Sequence, residues 1–170
     1  MTGRPEPNEY AEYYADYVKR ADVDDIIGAL EVQIEETTNL IRRISEAVSK
    51  EHRDGKWSVR EVVGHLNDSE RVFSYRAFRF SRNDSTPLAS FEQDNYVHEG
   101  RANERTLNDL LEEFAILRRG TVATFRHITP EIGTRRGTAS GKEMTVRAML
   151  YVTLGHVRRH LELIRERYGG

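Results

Sequence analysis

Apolar residues recur at every third or fourth position in four stretches of the chain. The segments between these stretches carry most of the glycine and all of the proline. That period predicts helices. The first runs from about Asp22 to Val48, with Val23, Ile26, Ile27, Leu30, Ile34, Thr37, Ile41, Ile44 and Val48 on one stripe. The second begins at Ser58, whose hydroxyl can cap free backbone N–H groups while Glu61 reaches back to complete a capping box. From there Val62, His65, Leu66, Ser69, Val72, Phe73, Arg76 and Phe80 share a face. The third spans about Thr106 to Ile128, turns Leu107, Leu110, Leu111, Phe114, Leu117, Thr121 and Phe125 inward, and stops before Pro130. The fourth spans about Thr145 to Tyr168, with Met149, Thr153, His156, His160, Leu163 and Ile164 inside. The aromatic and acidic segment Tyr10 to Tyr17 is either a short lead-in helix or a strap along the bundle.

Loop lengths set the topology. Glu51 to Trp57 is a tight hairpin between antiparallel helices. Asn83 to Arg105, about 20 residues, is long enough to cross the bundle and leave helices two and three parallel. The glycine-bearing loop from His127 to Met144 returns the chain for the last helix. The expectation is an all-α fold, a four-helix bundle running up-down-down-up, in one domain over residues 1–170 with a lead-in at 1–21.

Composition narrows the classes. Hydrophobic residues are 38% and charged residues 32%, which suits a globular chain rather than a disordered or membrane-embedded one. No stretch approaches the roughly 18 apolar residues of a membrane span, and the start MTGRPEPNEY lacks the apolar core of a secretory signal, so a cytoplasmic protein without membrane contact is expected. A net charge of -2, with arginines scattered among acids, speaks against nucleic acid as a partner. There is no cysteine, so a metal would have to sit on nitrogen or oxygen.

Histidine therefore becomes the informative residue. His156 and His160 are i and i+4 on one helix face, and such a pair often arises by chance. His65 changes that weighing. It lies about 10 Å along helix two, at nearly the height of His160 on the oppositely directed helix four. Burying three such rings without partners would cost on the order of 1–3 kcal/mol each, so the spacing points to one divalent ion held by His65, His156 and His160 with coordination positions left open. His52, His98 and His127 fall in loops or at a helix end. Metal-bound imidazoles usually pass their other N–H to a carboxylate or carbonyl, which makes Asp68, Asp94 and, more loosely, Glu99 candidates for orienting or catalytic roles. The segment Phe91 to Tyr96 either covers the site mouth or packs as a plug.

The run Gly55-Lys56-Trp57-Ser58-Val59-Arg60-Glu61-Val62-Val63-Gly64-His65-Leu66-Asn67-Asp68-Ser69-Glu70 resembles the lead into helix two of the DinB-like (YfiT-like) superfamily. Gly155-His156-Val157-Arg158-Arg159-His160 is similar to that family's helix-four signature, Thr145-Val146-Arg147 to the cap before it, and Phe91 to Tyr96 to a loop of one subgroup. The resemblance covers the chain from about Asp22 onward. It implies a four-helix bundle whose equivalents of these three histidines hold a metal, commonly zinc or nickel, and often a homodimer. Some relatives are thiol-dependent transferases acting with bacillithiol, mycothiol or glutathione, and others are regarded as hydrolases.

Three readings stay open on these residues. In the first, the chain is an enzyme whose metal ionises an external low-molecular-weight thiol, or a water, for attack on a small-molecule substrate; the thiol version suits a cysteine-free chain. In the second, the bundle is a non-catalytic, stress-related binding module with a structural metal, although no fourth ligand is evident to close such a site. In the third, the bundle is metal-free and dimerises through an apolar face.

Overall fold

The computed structural model describes residues 3–169. Four long helices form the frame: α2 (Ile26–Ile41), α3 (Val59–Ser81), α5 (Leu107–Phe125) and α7 (Val146–Tyr168). Shorter elements are α1 (Ala15–Arg20), α4 (Gln93–Gly100), α6 (Pro130–Gly133) and the strands β1 (Arg136–Ala139) and β2 (Lys142–Thr145). Each long helix opens on a side chain that accepts from its own free N–H groups. Asp25, Ser58, Thr106 and Thr145 do so in turn, and Ser58 with Glu61 makes the reciprocal capping box that its spacing foretells.

Contacts between the helices set their directions. Asn67 of α3 donates to the Leu110 carbonyl of α5, and Glu70 pairs with Arg118 further along both, so α3 and α5 run parallel. Gln33 of α2 donates to the Leu154 carbonyl of α7, and Leu40 and Leu161 share a cluster further along, so α2 and α7 run parallel as well. Trp57, just ahead of α3, shares one cavity with Ile164 and Tyr168 at the tail of α7, which makes α3 and α7 antiparallel. The bundle is up-down-down-up. Its core falls into two clusters, one around Leu30, Phe80, Phe125 and Met149, the other around Leu66, Leu111, Phe114 and Leu161.

Four details differ from the periodic reading. The first long helix is shorter than Asp22 to Val48: it starts after Asp25 and ends at Ile41, then tightens into turns that keep Ile44 buried. The turns bring Glu46 and Ser49 to the buried Arg60, which pairs with the Glu46 carboxylate and donates to Ser49 Oγ at 2.9 Å. The lead-in segment is part of the core. Tyr14 and Val18 are buried, and α1 crosses α7 so closely that a Cβ on Gly155 would lie 1.9 Å from the Tyr17 carbonyl oxygen. The loop after α5 folds into an antiparallel hairpin whose turn residues Ser140 and Gly141 both have positive φ, at 54° and 69°, as a tight two-residue turn requires. Finally, Val72, Leu117, His160 and Leu163 are half-buried rather than fully inside. Helix α7 is enclosed by α1, α2 and α3 and is buried continuously from Ala148 to Val157, beyond what a single stripe would give.

Candidate metal centre

Three imidazoles meet where α3 faces α7. His65 comes from the second turn of α3, beyond its cap, and His156 and His160 come from successive turns of α7, so antiparallel packing superimposes them. One ring nitrogen from each lies within 4.8 Å of the other two. The Nε2 atoms of His65 and His156 are 3.1 Å apart. A tetrahedral ion bound at about 2.1 Å holds its ligand atoms roughly 3.4 Å from one another, so that pair already stands at coordination spacing. The ring centroids are separated by 4.6 to 5.0 Å.

The surroundings keep the rings uncharged. Burial pushes His65 down to about 4, with the charge of Asp94 opposing the shift. Burial and the neighbouring His65 push His160 down to about 3. His156 is lowered strongly, by burial first and then by His160, His65 and Arg118. Neutral imidazoles are the form that ligates a metal. Among the described residues, none of the three rings hydrogen-bonds to a carboxylate or a backbone carbonyl, and the buried Nδ1 of His65 has no partner at all. Three converged neutral nitrogens with so little internal satisfaction fit a divalent transition-metal cation.

Aromatic rings wall the cluster. Trp57 lies 5.0 Å from His65, and Tyr17 and Phe73 stand edge-on to His156 at 5.5 and 5.4 Å between centroids. A cavity opens on either side. One of about 470 Å³ is lined by His160, Asp94, Trp57, Lys56 and Arg167. The other, of about 430 Å³, is lined by His65, His156, Ser69, Arg76, Tyr14 and Phe91. The Phe91 to Tyr96 segment spans both, since Phe91 faces one cavity and Asp94 the other.

The remaining candidates are placed less closely. Asp68 lines a small cavity of about 50 Å³ that it shares with His65, but no hydrogen bond joins the two; its carboxyl, raised by burial, faces Arg71 at 3.9 Å. Asp94 is exposed at the cavity beside His160. Glu99 pairs with the exposed His98, away from the cluster. His52 pairs with Glu61 at 2.8 Å, and His127 is exposed. Periodicity did not single out Ser69, whose hydroxyl is 3.5 Å from His65 Nε2, or the aromatic wall, although Ser69 and Phe73 both stand on the His65 stripe.

An antiparallel α3/α7 pair carrying three convergent histidines defines a helical bundle with a candidate mononuclear metal centre. The sequence profile of the DinB superfamily matches residues 29–164, and the chain belongs to that superfamily. The fold is similar to that of YfiT from Bacillus subtilis, described as a probable metal-dependent hydrolase with an unusual four-helix bundle topology. The TM-score is 0.71 at 20% identity, with 96% of this chain and 94% of that one covered. A search of curated protein sequences found no match.

Proposed function

We propose that this chain is a metal-dependent enzyme acting on a small molecule, with His65, His156 and His160 holding one divalent ion, zinc or nickel. The observation that carries the reading is the convergence of three uncharged imidazoles, two buried and one half-buried, between two cavities. A divalent ion there supplies Lewis acidity and lowers the pKa of a nucleophile that enters its open position. The chain's own residues do the rest. His65 and His156 are braced by the rings of Trp57, Tyr17 and Phe73. Asp94, in the cavity with His160, is the carboxylate placed to take a proton from an entering nucleophile. Asp68 stands behind His65 and is the candidate for orienting it.

Two nucleophiles suit this arrangement. An external low-molecular-weight thiol makes the protein an S-transferase, a role that a cysteine-free chain leaves to a co-substrate. Water makes it a hydrolase, the class given for YfiT. The experiment is a paired assay of untagged protein, stripped of metal or loaded with zinc or nickel. One arm offers activated esters and amides without thiol; the other offers a haloaromatic electrophile with bacillithiol, mycothiol or glutathione. Metal-dependent turnover confined to the thiol arm assigns the transferase, and turnover without thiol assigns the hydrolase. Absence of metal-dependent turnover in both arms overturns the enzymatic reading. A homodimer in the cytoplasm belongs to the same proposal, and light scattering on the purified protein tests the dimer. Among the described residues, no helix is long and apolar enough to cross a membrane.

A further inference from the structure

Among the described residues three arginines are buried: Arg60, Arg76 and Arg118, at 4%, 3% and 0% exposure. Two have a carboxylate. Arg118 grips Glu70 with two parallel hydrogen bonds of 3.0 and 2.9 Å, and Arg60 pairs with Glu46. Arg76 has none among the described residues. Its Nη2 donates to the Ala89 carbonyl at 2.8 Å and to Ser140 Oγ at 2.9 Å, while its Nε and Nη1 groups make no hydrogen bond among the described residues. Taking a guanidinium out of water without a counter-charge is unfavourable, and folded proteins rarely keep one so.

Arg76 lines the 430 Å³ cavity whose other end is formed by His65, Ser69 and His156. Ser69 and Arg76 stand on the same face of α3, seven residues and about 10 Å apart along the axis. Tyr14, Phe73 and Phe91 line the space between them, with the Arg76 guanidinium 5.8 Å from the Phe91 ring centroid. Lys142, half-buried over the Tyr13 ring, adds a second positive charge at the same end. Glu92, the one carboxylate lining this cavity, is exposed and forms no ion pair with Arg76.

We infer that this cavity takes a small organic acid, with its carboxylate on Arg76, an apolar or aromatic middle against Tyr14 and Phe91, and its reacting group at the histidines. The guanidinium fork matches a carboxylate, and the cavity fixes the separation between anchor and reacting group on the order of 10 Å. As a statement about substrate this rests on the metal-dependent reading above; as a statement about binding it does not.

The test is calorimetric titration of chelator-stripped wild-type protein with 4-phenylbutyrate, its neutral amide and inorganic phosphate, repeated on Arg76→Gln and Arg76→Lys. Wild type is expected to bind the acid at least about tenfold more tightly than the amide. Arg76→Gln is expected to lose that preference, and Arg76→Lys to keep part of it, the point charge remaining without the fork. Unliganded Arg76→Gln should melt close to wild type, because the hydrogen bonds to Ala89 and Ser140 that it loses are offset by removal of a buried charge that has no carboxylate partner. Equal binding of acid and amide, undiminished acid binding by Arg76→Gln, or Arg76-dependent binding of phosphate alone would each overturn the carboxylate assignment. So would a markedly lower melting temperature for unliganded Arg76→Gln, which would give the residue a purely structural role. Because the titration uses metal-free protein, failure of zinc to bind would refute the metal centre without touching this result, and the converse also holds.

Discussion

Two polar clusters sit close together inside the bundle, with α3 supplying Glu70 to one and His65 to the other, and they are built on opposite principles. The cluster of Glu70, Arg118, Gln33 and Thr121 is closed. Arg118 gives two hydrogen bonds to Glu70 and one of 2.5 Å to Gln33, Thr121 gives one of 2.6 Å to Glu70, and Gln33 donates to the Leu154 carbonyl. All four long helices contribute, charge is balanced, and each contact selects the up-down-down-up register. The histidine cluster is open: three bases of one type, no acid bonded to them, one nitrogen orphaned and a cavity on either side. Networks that satisfy themselves hold a fold together. Clusters that do not are where a ligand completes the bonding.

Breaking the closed cluster should give the largest effect on the fold. Arg118→Met strands the Glu70 carboxylate in the core, and the expected loss is about 3–5 kcal/mol of unfolding free energy by urea denaturation. His160→Ala, by contrast, removes a half-buried ring that makes no hydrogen bond among the described residues, and should leave metal-free stability within about 1 kcal/mol. If the two substitutions cost the same, the distinction between the clusters fails.

Acid should separate them next. The folded pKa values of the triad lie below the ordinary 6.5, at about 4 for His65 and about 3 for His160. Above pH 6.5 the rings are neutral whether the chain is folded or not, and no stability is lost. As pH falls below 6.5 the unfolded chain takes up protons that the folded one refuses, so stability drops until the folded values are reached. His65 alone accounts for roughly 3 kcal/mol by pH 4, measurable as the shift of the urea midpoint of metal-free protein. A bound divalent cation should steepen that loss, since protons then also displace the ion. A flat profile between pH 6.5 and 4 would mean that the rings are not buried as bases.

Much of this was readable in the residues, and the misses have physical reasons. The four long helices, the Ser58 and Glu61 box and the inward placement of all three histidines follow from period and capping chemistry, which are local. The closed cluster does not, because Glu70 and Arg118 look like surface charges to any hydrophobic period, and only the packed structure brings them together. The same blindness hid the meaning of Arg76, which stood on the apolar stripe and was a signal for that reason. The break after Ile41 was masked because Ile44 continues the apolar spacing through the turns. The role of α1 lies in a single close crossing at Gly155, invisible without the partner backbone.

That crossing supplies a smaller perturbation aimed at the open cluster. Gly155→Ala would push a methyl group into the Tyr17 carbonyl beside His156, and should cost about 1–3 kcal/mol of stability. Metal affinity should fall together with it, while Glu70 and Arg118 remain paired. A variant that kept full affinity, measured by zinc titration, would show that α1 does not position the site. Smallest of all, Asp94→Asn should change zinc affinity by no more than about threefold, because an exposed carboxylate acts on His65 through solvent. A larger loss would place Asp94 on the ion itself.

Zinc titration of untagged, chelator-stripped protein tests the metal centre most directly, run beside the variant with His65, His156 and His160 all replaced by alanine. One ion bound per wild-type chain, and none by a triple variant that keeps its helical circular dichroism, is the predicted result. Wild type that takes up no ion, or a triple variant that takes up as much as wild type, would contradict it.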